Sequence, residues 1–526
     1  MHVFSQPIKP ALTNESIRVA VRLWCEDPAQ ATAEYGRIED WDTSEVTVMR
    51  GLFKNKRVFN ANISQWNVLR VTNMSEMFRG ATVFNHNLSE WDVSGVTDMR
   101  EMFRDATAFN QYIGGWAVSR VTTMRYMFWG ATAFNQHLNE WDVSKIADMR
   151  LMFCAATTFN QGLNGWDVSN VTDMSSMFCG ATSFNQDLSG WNVSNVTTMT
   201  AMFRGASAFN RNISEWNVSS VKNMGNMFYR ATSFNQALSK WKLLNVTLMS
   251  GMFNGASRFN QELSGWDVSK VTRMDHLFCD ADSFNQDLSG WNVSKVTDMD
   301  AMFCRATSFN QDLGEWDVAM VLNMRHMFWG AKLFNQDLSG WDVSSVTDMS
   351  SMFRGATSFN QDLSGWDVSS VTEMSAMFYG ATSFNQDLSG WDVSRVTDMR
   401  CMFYGATSFN QDLSGWDVSN VTTMTGMFYK TALTRTLKSE RNVSSVFEGI
   451  YRRMPREERR QVFAGVFRWQ RRRAFLLFLV HHGYLYSASA PSNYKDPCAT
   501  KPSSEVVPCD AIFDVEDIYR YICQFL

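Results

Sequence analysis

Trp341-Asp-Val-Ser-Ser-Val-Thr-Asp-Met-Ser-Ser-Met-Phe-Arg-Gly-Ala-Thr-Ser-Phe-Asn-Gln-Asp-Leu-Ser-Gly365 is one copy of a 25-residue unit that fills most of the chain. Trp opens a unit at 41, 66, 91 and every 25 residues thereafter to 416, sixteen times without insertion or deletion. Counting that Trp as position 1, Met stands at position 9 in every unit, and position 12 is Met in fourteen units and Leu in two, Leu52 and Leu277. Phe fills position 13 throughout and position 19 from Phe59 to Phe409, with Asn directly after it from Asn60 to Asn410. A chain that repeats one short unit has to be read as an array before it is divided into domains.

Composition follows from the repeat. Of 33 Met, 30 lie in the register, so the excess marks a packed spine rather than a metal or redox relay. Within the unit, Trp341 and Val343 alternate with Asp342 and Ser344, the period of a short half-buried strand. Thr347 and Asp348 offer an N-cap, Met349, Met352, Phe353 and Ala356 follow at helical spacing, and Gly355 suits a helix end. Residues 357–365 read as a returning loop. The expected fold is therefore an α/β repeat solenoid of sixteen strand-helix coils, none of which folds alone. The Asn at position 20 is expected to form a ladder that satisfies backbone groups of its own coil and the next.

The segment Phe359-Asn-Gln-Asp-Leu-Ser-Gly-Trp366-Asp-Val368, continued by Val371-Thr-Glu-Met374, resembles the BspA-type leucine-rich repeats, with Trp replacing one Leu. The likeness spans about residues 38–432. It implies a leucine-rich-repeat-like binding protein, with no catalytic residues to carry over, from a family of surface proteins and lipoproteins. Two departures stand beside it: no export or lipoprotein signal is readable in Met1–Pro10, and a basic C-terminal region follows the array.

Helical caps are expected at both ends. Ile17, Ala20, Val21 and Trp24 form an apolar stripe over Thr13–Cys25, and Asp27-Pro28 starts a second helix ending near Gly36, which makes 1–37 an N-terminal cap. Thr434 stands where the next Phe belongs, so the array closes near 432 and a distinct region occupies 433–526. Residues 431–526 carry a balance of +5 against −10 for residues 1–430, with nine Arg between Arg452 and Arg473. Arg468, Arg471, Arg472 and Arg473 are the candidate basic contact of an amphipathic helix, for a membrane surface or an acidic partner. A Ser/Pro-rich linker near 488–508 and a short helix over 515–526 complete the chain.

Two surfaces of the array are candidates for binding. The strand face repeats Asp342 and Ser344, Asp367 and Ser369, and Asp392 and Ser394, and the return loop repeats Asp337, Asp362, Asp387 and Asp412. Such rows suit a periodic glycan or calcium between carboxylates, or they simply solubilise the sheet. The other surface varies. Position 14 carries Trp129, Tyr229, Trp329, Tyr379, Tyr404 and Tyr429, several Arg, and the Cys pairs 154/179 and 279/304. Arg125, Arg325 and Arg400, one helical turn earlier, are placed to stack on the aromatics four residues later. On helices of an outer face the Cys pairs are expected to lie too far apart to bond.

Chemistry has few other places to reside. Seven His include one adjacent pair, His481 and His482, without Cys or carboxylate at ligand spacing, and no phosphate or dinucleotide fingerprint occurs. No stretch approaches the roughly 18 apolar residues of a membrane span. The expectation is a monomeric, non-enzymatic, cofactor-free binder of protein partners. A glycan is the alternative ligand, nucleic acid is not expected, and the cytoplasm is favoured over the cell surface that the resemblance implies.

Overall fold

The structure, a computed structural model, describes residues 10–433. The basic stretch with Arg468, Arg471, Arg472 and Arg473, the linker near 488–508 and the helix expected over 515–526 lie outside the described residues, as does nearly all of 433–526.

Two α-helices precede the repeats. Helix α1, Ser16–Glu26, buries Ile17, Ala20 and Val21, and α2, Pro28–Tyr35, packs against it. Asp27 caps α2 by accepting the Gln30 N–H at 2.9 Å, and Pro28 occupies the first turn, where its missing N–H is not needed. Asn14 stands in for a preceding unit. Its Oδ1 accepts the N–H groups of Thr47 and Val48 at 2.9 and 3.0 Å, and its Nδ2 donates to Thr47 Oγ1 at 2.9 Å. The open edge of the first unit thus gains the partners that backbone donors require.

The strand-helix coil expected for each unit does not form. Residues 41–431 contain no helix and no strand longer than one residue, and neighbouring units share isolated parallel bridges at position 8, such as Asp348 with Glu373. In the stretch read as a helix, positions 11 and 15 adopt left-handed backbone, with Ser351 at φ 58° and Gly355 at φ 67°. A left-handed residue every four positions stops an α-helix from propagating. The chain makes consecutive turns instead, with Met352 N–H to the Met349 carbonyl, Arg354 to Ser351 and Ala356 to Phe353, at 3.1–3.2 Å.

Alternate N–H groups leave the unit altogether. Those of Met349, Ser351, Phe353 and Gly355 donate to the carbonyls of Glu373, Ser375, Met377 and Tyr379 in the next unit, at 2.6–3.0 Å. These bonds replace the i to i−4 bonds of a helix. The side chains of Met349, Met352, Phe353 and Ala356 are buried all the same. An apolar spacing of i, i+3, i+4 and i+7 therefore faces inward in either geometry, which is why it reads as a helix. The α/β solenoid reading is corrected to a stack of turns laddered from unit to unit.

Three aromatic columns fill the interior. The Phe353 ring lies 5.6 Å from both Phe328 and Phe378, and 4.0 Å from Phe359 in its own unit. Trp341 stacks on Trp366 at 6.4 Å with the rings 1° from parallel, wider than the about 4.7–4.9 Å of sheet neighbours. Each indole reaches back 28 residues, as Trp366 Nε1 donates to the Leu338 carbonyl at 3.0 Å. Buried indole N–H groups are satisfied in this way along the column.

Asn at position 20 forms the second ladder. Asn335 Oδ1 accepts the Asn360 N–H at 2.8 Å and Gln361 Nε2 at 3.1 Å, and the same pair of bonds recurs from unit to unit. A side chain thereby supplies the acceptor where the turning backbone presents none.

Candidate interaction surface

The Asp/Ser rows are turn caps. Asp342 Oδ1 accepts the Ser344 N–H at 3.0 Å and its hydroxyl at 2.6 Å, and Asp367 and Asp392 hold the Ser369 and Ser394 N–H groups at 3.0 Å. These serine hydrogen bonds keep all three carboxyls below the usual carboxylate range. The second row does the same at positions 22 and 24, from Asp337 with Ser339 to Asp412 with Ser414. Each carboxylate commits an oxygen to its own loop. Among the described residues no cluster of three or more His, Cys, Asp or Glu is shaped to hold a metal.

Position 14 is a column of contacts between units. The Arg104 guanidinium lies 3.6 Å from the Trp129 ring centre, Arg204 4.8 Å from Tyr229, and Arg354 4.5 Å from Tyr379. Arg305 and Arg354 flank Trp329 at 5.2 and 5.4 Å. Tyr379 stacks on Tyr404 at 4.7 Å with the rings 2° from parallel, and Tyr404 lies 4.9 Å from Tyr429.

The stacking at position 14 runs between units, at the same position 25 residues apart. Arg125 lies over Tyr126 and donates to its hydroxyl at 2.9 Å. Arg400 pairs with the Asp398 carboxylate at 2.7 Å, and Arg325 is exposed. Of the ridge residues, Trp129, Tyr229, Trp329, Tyr379 and Tyr429 are half-buried in this column, and Tyr404 is buried.

Two ionic clusters escaped the sequence reading. In the first units Glu76 binds Lys54, Arg50 and Arg79, and Glu101 bridges Arg79 and Arg104 at 2.8 and 3.0 Å. The Lys54 ammonium, with Arg50, holds the Glu76 carboxyl down at about 2. Farther along, Asp275 accepts Ser250 Oγ at 2.6 Å and Arg273 Nε at 3.0 Å, His276 lies beside it, and His326 Nδ1 stands 3.5 Å from Asp300. Burial pushes the Asp275 carboxyl up, but the His276, Ser250 and Arg273 hydrogen bonds outweigh it and hold it far below its usual range. The Asp275 partnership raises the His276 imidazole. The signal was in the text: Glu76, Glu101, His276 and His326 all stand at position 11 of their units, where eight of the other twelve units carry Ser, Ala or Gly.

Gly162 replaces the larger residues usual at position 22, and a concavity of about 600 Å³ opens there, lined by Tyr112, His137, Asn139, Glu140, Gln161 and Gln186 among others. Gln161 and Gln186 already donate to Asn135 and Asn160, at 3.1 and 2.9 Å.

Five overlapping segments, residues 27–141, 110–204, 131–241, 232–341 and 331–440, match the family described as Mycoplasma protein of unknown function, DUF285. The chain belongs to this family. The DUF285 matches run without a gap from the start of α2 through all sixteen units, so family membership and the ladder cover the same residues. No curated protein matches the chain.

Proposed function

We propose that the chain is a non-enzymatic repeat scaffold that binds protein partners along the position-14 column. The observation that carries this reading is the contrast between fixed and varied positions. Phe, Met, Trp and Asn recur in register, while position 14 alone mixes Trp, Tyr, Arg and Cys among half-buried neighbours. Aromatic and Arg side chains held partly out of water dominate binding energy at protein interfaces. The likeness of the repeat to BspA-type surface proteins supports a binding role.

The glycan alternative rests on the Asp/Ser rows, whose carboxylates are already engaged in their own turns. The membrane alternative rests on Arg468–Arg473, outside the described residues. Among those described, no helix is long and apolar enough to cross a membrane. Affinity capture with the full chain, beside Trp129→Ala/Trp329→Ala and Asp367→Ala/Asp392→Ala variants, tests the reading. Loss of specific proteins with the Trp pair alone is the expected result; loss with the Asp pair alone overturns it.

A further inference from the structure

Cys154 and Cys179 occupy position 14 of adjacent units, and so do Cys279 and Cys304. With turns in place of outer helices, each pair becomes a set of ladder neighbours rather than residues held apart. The Ala155 N–H donates to the Cys179 carbonyl at 2.6 Å, and the Asp280 N–H to the Cys304 carbonyl at 2.7 Å. The adjoining rings Phe153 and Phe178 stack at 5.7 Å, and the tyrosines at position 14 itself stack at 4.7 Å. These ring separations mark the single ladder step between adjacent units on which both cysteine pairs stand. All four cysteines are free thiols, and Cys279 and Cys304 pack together in one buried cluster.

The surroundings of the two pairs differ. Cys179 is half-buried, and the next residue in its column is Arg204. The neighbouring Cys154 thiol, aided by the Arg204 guanidinium and opposed by burial, brings the Cys179 thiol down to about 7, while Cys179 and burial push the Cys154 thiol up. Cys279 and Cys304 are both buried, pack with Ala301 against Trp329, and have the Asp280 carboxylate 3.7 Å from Cys279 Sγ. Cys304, burial and Asp280 push the Cys279 thiol up, against the Arg305 guanidinium that pairs with Asp280 at 2.6 Å. A thiol titrating near ambient pH beside a cation is the efficient attacking group, whereas a buried thiol beside a carboxylate is inert.

We propose that Cys154 and Cys179 form a reversible dithiol site for exchange with low-molecular-weight disulfides of the glutathione class, and that Cys279 and Cys304 are its unreactive counterpart. The Cys179 thiolate attacks one sulfur of the small disulfide, whose S–S bond breaks. The first small thiolate leaves and takes up the proton that Cys179 had released. Cys154 then gives up its proton and attacks the Cys179 sulfur of the mixed disulfide, and the second small thiolate leaves with that proton. One disulfide is consumed and one formed. The protein pair is oxidised, the small disulfide is reduced to two thiols, and two adjacent units become covalently joined.

The test treats the full chain with oxidised glutathione near neutral pH, quenches the thiols, and maps tryptic peptides by mass. No Lys or Arg separates Leu151 from Arg204, so both reactive cysteines share one peptide, whereas Lys295 divides Cys279 from Cys304. The 151–204 peptide is expected to lose the mass of two hydrogens, to regain it with dithiothreitol, and to react at least about tenfold faster than the Cys279/Cys304 peptides cross-link. Cys154→Ser is expected to stall with glutathione on Cys179, and Cys179→Ser to leave Cys154 unmodified. Unchanged thermal melting of both variants shows that they keep the fold. A wild-type 151–204 peptide that stays reduced, a stable glutathione adduct on wild-type Cys179, or equal oxidation of the two pairs overturns the proposal.

Discussion

The buried columns and the column at position 14 hang on the same ladder, yet they are filled differently. Inside, one residue type repeats, because a ring meets identical rings about one unit above and below, as Phe228 does with Phe203 at 5.8 Å and Phe253 at 5.7 Å. At position 14, Arg104 meets Trp129, Cys154 meets Cys179, and Arg354 meets Tyr379. Interior identity is a packing requirement. Variety at the edge, where one side of the column touches water, is what a surface adapted to particular contacts displays.

Truncation in the middle of the stack is expected to separate the two columns most sharply. Phe228→Ala removes a buried ring and leaves a cavity, with an expected loss of about 3–5 kcal/mol in urea unfolding. An effect below about 1 kcal/mol would mean that the interior columns do not carry the stability of the array. Asn235→Ala takes away the acceptor for the Asn260 N–H and Gln261 Nε2, both at 2.9 Å. Leaving those donors unpaired is expected to cost about 1–3 kcal/mol. Hydrogen exchange at the Asn260 amide reports the loss locally.

The ionic cluster at the start of the array predicts a pH dependence. The Glu76 carboxyl titrates at about 2 in the fold against an ordinary 4.5, so its contribution is complete above about 4.5 and is lost as pH falls toward 2. Arg50 and Lys54 are 62% and 39% exposed, so solvent screens the pairs and limits the effect to about 1 kcal/mol. Urea midpoints of Glu76→Gln should accordingly change less than those of the native chain across that window, and equal slopes would refute the assignment. The smallest effect is expected at the column edge. Trp129→Ala loses the Arg104 contact, worth about 0.5–1 kcal/mol at an exposed site, while the loss of partner capture should be large. A Trp129→Ala chain as unstable as Phe228→Ala would make position 14 part of the core.

Much of this contrast is readable in the text of the repeat. The unbroken register, the inward Met, Phe and Trp, and the polar ladder at Asn360 follow from which residues never change. The helix does not follow, because Met349, Met352, Phe353 and Ala356 point inward whether the backbone coils once or turns twice. The deciding residues stand at positions 11 and 15. Gly355 at position 15 reads equally well as a helix end, and Leu151 or His276 at position 11 gives no sign of a left-handed backbone, with φ of 56° and 57°. From that one misreading followed Arg125 as the expected partner of Trp129, which is met by Arg104 instead. The use of Asp342 was hidden for another reason: an exposed carboxylate and one that caps its own turn look alike in sequence.

The ladder also has a direction. Donors at positions 9, 11, 13 and 15 address the unit that follows, whereas the N–H groups of Thr347 and Asn360 address the unit before and the indole of Trp366 reaches back 28 residues to Leu338. The two edges of a unit are therefore complementary but not interchangeable. Whole units can be added or removed in head-to-tail order with every bond remade, while a fraction of a unit breaks both ladders at once. Array length is thus a variable that gene duplication can adjust in steps of 25 residues, which fits sixteen copies free of any insertion.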